Sequence, residues 1–203
     1  INHDQWVLRF GVLWLPSATW RRFNQSRRIS NNEGPRIQFQ SYFAMGSSAY
    51  SKVSLQVNHT RPLQRLGRLQ VQVHGAHFMV KPTQFIDYTF FKGNEMYILG
   101  SDEYAFRMLP NYLFATANDH YRMHIKWEPR RFVLTQSELL SLYGLKENLQ
   151  YSFLQIPNGV KKSPYQEVSY GLTGIGKLLG LDVVYPIGDW VPERWKVMIR
   201  IPF

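Results

Sequence analysis

The sequence predicts an α+β fold that is predominantly antiparallel β, with strands, one helix and further strands set behind a basic N-terminal extension. Three observations predict it. Apolar and polar residues alternate along most of the chain, one helix-capping signature interrupts the alternation, and positive charge is concentrated near the N-terminus.

The extension comes first. Residues 1–80 carry Arg9, Arg21, Arg22, Arg27, Arg28, Arg36, Lys52, Arg61, Arg65 and Arg68 against Asp4 and Glu33, most of the chain's net charge of +10. Trp20 to Ser30 is rich in Arg and Ser and free of acids, the composition of organellar transit peptides and of arms that thread between RNA phosphates. Asn31 to Pro35 reads as a turn or linker. The chain begins at Ile1 rather than Met, so a processed or partial chain is expected.

Strands follow. Val53, Leu55 and Val57 alternate within Lys52 to Asn58. Leu69, Val71 and Val73 do the same and run on through Phe78, Met79 and Val80. Glu95 to Leu99 and Tyr104 to Leu109 are two β-prone runs around Gly100 to Glu103, which predicts a hairpin. Met123 to Trp127 reads as a strand leading into Arg131 to Leu134. Thr135-Gln-Ser-Glu138 then matches a capping box before Leu139 to Tyr143 and Gly144, predicting a helix capped by Thr135. Further strands are expected at Gln150 to Gln155, Tyr165 to Leu172, Leu181 to Tyr185 and Lys196 to Ile201.

Several classes are set aside. Cysteine is absent, which removes disulfide scaffolds, thiolate metal sites and cysteine nucleophiles. No run approaches the roughly 18 apolar residues of a spanning helix, and no membrane span is expected. Gly171 to Lys177 has phosphate-loop spacing, but Leu178 replaces the Ser or Thr that would hold magnesium, so a flexible hairpin is the better reading. His74 and His77, and His120 and His124, lack a carboxylate cluster and read as strand or surface residues. No motif unites a nucleophile, a base and an orienting acid. The expectation is a non-enzyme with no catalytic residue, no metal and no cofactor.

One stretch carries a family resemblance. His124-Ile-Lys-Trp-Glu-Pro-Arg-Arg-Phe-Val-Leu-Thr-Gln-Ser-Glu-Leu-Leu-Ser-Leu-Tyr-Gly144, continuing to Tyr151-Ser-Phe153, resembles the central strand and first helix of the Whirly family, which includes plant single-stranded DNA-binding proteins and the similar trypanosomatid mitochondrial RNA-binding proteins. Lys126 stands where that family has an acid. Phe78 to Pro82 resembles its first strand and Val197 to Pro202 its last. The resemblance implies a Whirly-like domain over residues 77–203 without the family's last helix, behind a basic extension over 1–76 with one or two strands.

The residues around Lys126 also suit single-strand binding, which needs cations along a backbone and aromatic faces for bases. Lys126, Trp127, Arg130 and Arg131 supply both, and Lys81, Tyr97 and Arg107 lie on neighbouring expected strands. Arg21, Arg22, Arg27 and Arg28 of the arm complete the candidate nucleic-acid contacts. Strand alternation places Lys126 and Trp127 on opposite faces. The functional expectation is a mitochondrial-matrix RNA or single-stranded DNA binding protein acting in organellar RNA processing or ribonucleoprotein assembly, with protein partners in a hetero- or homo-oligomer. The alternative is an architectural subunit of a large organellar ribonucleoprotein such as a mitochondrial ribosome.

Overall fold

Period-two alternation demands extended chain, and extended chain is what most of this protein forms. The computed structural model describes residues 4–23, 26–32, 34–93, 98–99, 104–110, 114–159, 163–176, 179–188 and 194–200, with backbone only for 20–23, 26–32, 98–99 and 141. The strands are β1 Gln5–Trp14, β2 Ala18–Phe23, β3 Ser26–Asn32, β4 Arg36–Gly46, β5 Tyr50–Pro62, β6 Arg68–Val80, β7 Ile98–Leu99, β8 His120–Glu128, β9 Lys146–Gln155, β10 Tyr165–Ile175, β11 Leu179–Ile187 and β12 Lys196–Arg200. They build one 10-stranded sheet in the order β1-β4-β5-β6-β8-β9-β10-β11-β12-β7, with β2 and β3 paired separately as a hairpin. Every pairing is antiparallel except that of β7 with β12.

The sheet is a meander, so its connections alternate between two ends. Residues 47–49 lie at one end, from which the β6–β8, β9–β10 and β11–β12 connections start; residues 63–67 lie at the other, from which the β1–β4, β8–β9 and β10–β11 connections start. The β5–β6 turn closes over Gly67 at φ +98°, where an added Cβ would sit 2.0 Å from the Glu128 carbonyl oxygen. Only glycine fits that approach. The boundary expected between residues 76 and 77 falls within β6, at the point where its pairing with β8 ends and that with β5 goes on.

The fold class therefore needs correction: the protein is nearly all antiparallel β, not α+β, and the short helix over Glu138–Leu142 does not divide the strands into two sets as a Whirly-like domain requires. β8 and β9, on either side of the helical segment, are direct neighbours. The helix α1 is only Glu138–Leu142, and Gly144 at φ +79° follows it. Thr135 does not cap it. Its hydroxyl donates to Glu147 and accepts from the Phe132 N–H at 3.0 Å. Glu147 also accepts from the N–H groups of Val133 at 3.2 Å, Leu134 at 3.0 Å and Thr135 at 2.9 Å, and from the Tyr170 hydroxyl. A carboxylate on β9 thus takes the backbone donors that a longer helix or a strand through Arg131 to Leu134 would have used. Tyr104 to Leu109 is likewise not a strand: the Arg107 and Met108 N–H groups donate to Glu167, and that of Phe106 to the Lys92 carbonyl at 2.9 Å.

Burial alone would raise the Glu147 pKa, but the donors from Thr135, Tyr170 and Leu134 hold it down, from 4.5 to about 2. A carboxylate whose folded pKa is depressed contributes stability that is present above its unfolded value and lost as pH falls through the folded one. The contribution should be complete above pH 4.5 and disappear towards pH 2. In equilibrium unfolding at a series of pH values, Glu147→Gln should lower stability at neutral pH and flatten the decline across that window. An unchanged decline would show that Glu147 does not clamp the 132–135 turn.

Candidate functional site

Paired residues of an antiparallel ladder share a face, so the register sorts the side chains of the sheet into two sets. One set runs from Trp6, Leu8, Phe10, Val12 and Trp14 of β1 across to Val183 and Val197 of β11 and β12. Between them it includes Phe39 and Phe43 of β4, Leu55 and Val57 of β5, Val71 and Val73 of β6, Met123 and Ile125 of β8, Leu149 and Tyr151 of β9, and Val168 and Tyr170 of β10. The opposite set holds Gln38 and Gln40, Ser54 and Gln56, Gln70 and Gln72, His124 and Lys126, Asn148, Gln150 and Ser152, Glu167 and Ser169, and Asp182.

Exposure runs opposite to polarity. Along β11, Leu179, Leu181, Val183, Tyr185 and Ile187 are exposed, whereas Gly180, Asp182, Val184 and Pro186 are buried. On β9 and β10, Asn148, Gln150, Ser152, Glu167 and Ser169 are all buried. In a water-soluble sheet the apolar face turns inward. Here the buried face carries most of the sheet's polar side chains, together with Phe78, Leu154, Tyr165, Val184 and Met198, and the exposed face is largely apolar.

The polar face is covered by part of the 81–119 connection. Phe91, Phe106 and Leu109 pack with Leu154, Ile156 and Tyr165, and Met108 packs with Val184 and Met198. The Glu167 carboxylate accepts from the N–H groups of Arg107 at 2.8 Å and Met108 at 3.0 Å, and from the Tyr165 hydroxyl at 2.8 Å. The Arg107 guanidinium donates to Asp182 Oδ1 at 2.7 Å and to Gln150 Oε1 at 2.7 Å, and Arg200 donates to the same Asp182 oxygen at 2.8 Å. Gly171 makes room for this cluster, since a Cβ there would lie 2.1 Å from Asp182 Oδ1.

Desolvation sets the charge states of this interior. Burial lowers the Arg107 pKa against the opposing pull of Asp182, and burial raises that of Glu167 despite its donors. His74 and His120 stack with ring centroids 5.6 Å apart. Burial, with the Arg122 cation beside His74 and the Lys52 cation beside both, lowers them to about 3 and about 4. Both rings are therefore neutral at physiological pH. Among the described residues no group of three or more His, Cys, Asp or Glu is arranged to hold a metal ion.

The residues expected to contact nucleic acid do not converge. Lys126 is buried on the polar face, its Nζ 2.8 Å from Glu128 Oε1. Trp127 lies on the opposite face and donates from Nε1 to the Leu66 carbonyl at 2.8 Å. Arg107 is buried in the cluster above. Lys81 is exposed and donates to Asn118 Oδ1 at 2.6 Å, while Arg130 and Arg131 are exposed at the other end of the sheet. Tyr97 lies outside the described residues. The backbones of β2 and β3 pair Arg21 with Arg28 and Arg22 with Arg27, but these side chains too lie outside the described residues.

Sequence reasoning passes over Glu147, Asn148, Gln150, Glu167, Asp182 and Arg200. The available signal is the residue type at alternate strand positions: Gln, Asn and Ser recur where a solvated face more often carries Lys and Glu.

Residues 1–172 match the C-terminal domain of the DUF5686 family, a family of unknown function. The chain belongs to that family. The match ends within β10, so Arg107 and Glu167 lie inside the family domain and Asp182 and Arg200 beyond it. No curated protein and no solved structure matches the chain.

Two substitutions on the polar face should behave oppositely. Gly171→Ala pushes a methyl group into the Asp182 carboxylate and should cost ~1–3 kcal/mol. Ser169→Ala removes a buried hydroxyl that has no hydrogen-bond partner among the described residues, and should change stability by less than ~0.5 kcal/mol. Denaturant titration reads both, and equal losses would show that the polar cluster is not assembled over Gly171.

Proposed function

We propose that this chain forms wall strands of a transmembrane β-barrel, with the apolar face of the sheet against lipid and the polar face against the lumen. The observation that carries the reading is the inverted alternation at the centre of the sheet: Leu55, Val73, Val168, Leu181, Val183 and Tyr185 are exposed, while Ser54, Gln70, Gln72, Lys126, Gln150, Ser152, Glu167, Ser169 and Asp182 are buried. A transmembrane barrel alternates apolar-out with polar-in, whereas a soluble sheet does the reverse.

Dimensions and end residues support it. β4 has 11 residues and β9 has 10; at about 3.3 Å per residue and a tilt near 45°, such a strand rises about 25 Å, the height of an apolar barrel belt. Aromatic residues stand at both ends of the apolar face. Trp6, Tyr121, Tyr185 and Trp195 are exposed at the 47–49 end; Trp14 and Tyr143 are exposed at the 63–67 end, where Trp127 also lies. Interfacial girdles use these residues because one side of the ring is apolar and the other polar. Among the described residues no helix is long and apolar enough to cross a membrane, and the proposed crossing is by strands alone. In lipid the free edge of β1, exposed along both faces, must be paired, because hydrocarbon offers no partner for its N–H and C=O groups.

The net charge that suggests RNA or single-stranded DNA in the sequence suits an anionic headgroup surface equally well. Arg107 and Lys126, two of the expected nucleic-acid contacts, are themselves buried and paired with Asp182 and Glu128. That shifts the balance towards the membrane reading.

Val183 distinguishes the two environments, since it is 44% exposed on the apolar face. For the chain folded into phospholipid vesicles, Val183→Arg should cost ~2–4 kcal/mol in urea titration. On the solvated surface of a soluble protein the same change stays within about 0.5 kcal/mol. A near-neutral effect, with the chain folding in buffer without lipid or detergent, would overturn the reading.

A further inference from the structure

The 104–110 segment has a placement that a barrel wall alone does not explain, because it lies across the polar face and not beyond the strand ends. Its anchoring is specific. Two consecutive backbone N–H groups, of Arg107 and Met108, enter one carboxylate of β10, while the Arg107 side chain crosses to Asp182 on β11 and Gln150 on β9. Arg107 is 4% exposed and Asp182 fully buried. Removing Asp182 leaves the buried Arg107 charge without its ion pair, and removing Arg107 leaves the buried Asp182 to Arg200 alone.

A second, independent observation concerns the wall beneath. Asn148 Oδ1, Ser169 Oγ and Asp182 Oδ2, on three adjacent strands, are buried without a hydrogen-bond partner among the described residues, as are Gln70 Oε1 and Gln72 Oε1 on β6. Buried polar atoms without a protein partner are ordinarily satisfied by water. A wall that meets water when its cover is displaced has a use for all of them.

We infer that residues 104–110 form a strap across the lumen, latched by Arg107 to Asp182 and by Glu167 to the strap backbone, and that releasing it opens an aqueous path along the polar face. The inference rests on the membrane reading above. It makes the protein a gated barrel whose resting state is closed, with a path lined by Asn148, Gln150, Ser169 and Asp182 beside the apolar Leu154, Val184 and Met198 that the strap covers.

The test uses the full chain in phospholipid vesicles with one cysteine introduced as Met108→Cys, which is possible because the chain has no native cysteine. Resistance to carbonate extraction scores insertion, labelling by a water-soluble maleimide scores exposure of the strap, and planar-bilayer recording scores conductance. The inserted parent should label slowly and conduct little. Adding Arg107→Gln should raise the labelling rate at least tenfold and produce sustained conductance, Glu167→Gln should act in the same direction, and Arg107→Lys should fall between. An inserted parent that labels rapidly or conducts steadily overturns the strap alone, as do inserted Arg107→Gln and Glu167→Gln chains that match the parent. A chain that never inserts overturns the membrane reading and this inference with it.

Discussion

A β-strand offers its side chains to two faces in strict alternation, and in this protein the choice of which set to bury determines everything else. The buried set holds most of the sheet's polar side chains. Burying Gln72, His124, Ser152, Ser169 and Asp182 obliges Val73, Met123, Phe153, Val168 and Val183 to face outward, because a shift of one residue would exchange the two sets. On the membrane reading the apolar set lies against lipid, and the exposed tryptophans at the strand ends stand at the edges of the lipid belt.

The interior follows from the same constraint. Polar side chains taken from water need partners, and a single sheet cannot supply them all from its own ladder. Glu167 and Asp182 obtain theirs from Arg107, Met108 and Arg200, while Glu147 satisfies the turn between β8 and α1. Hydrogen bonds to ionised groups are stronger than neutral ones, and two carboxylates, Glu167 and Glu147, organise the parts of the chain that are not strand. The neutral His74 and His120 belong to the same arrangement, since Lys52 and Arg122 already carry the positive charge beside them.

Much of the strand pattern is legible in the sequence. Leu69, Val71 and Val73 of β6, or Leu181, Val183 and Tyr185 of β11, announce period two without ambiguity. Period two is symmetric, however: it separates two faces and does not say which is buried. The ordinary rule for soluble proteins makes the apolar set the core, and only the frequency of Gln, Asn and Ser in the other set argues otherwise. Long-range partners lie beyond any local pattern. Arg107 meets Asp182 across 75 residues and Glu167 across 60, so in the sequence a buried latch reads as an exposed cation. Thr135-Gln-Ser-Glu138 is a sound capping box locally, but Glu147 outcompetes it for the Thr135 hydroxyl and the donors beside it.

Alternation itself offers the sharpest check that the apolar face meets lipid. Single cysteines introduced from residue 179 to residue 187 of β11, labelled with an environment-sensitive fluorophore in vesicles, can be probed with a quencher carried on the lipid chains and another dissolved in water. Strong lipid quenching is expected at positions 181, 183 and 185, with little at 180, 182 and 184. Uniform quenching by the aqueous agent at 181, 183 and 185, or a lipid signal with no period of two, would mean that the apolar face does not lie against lipid.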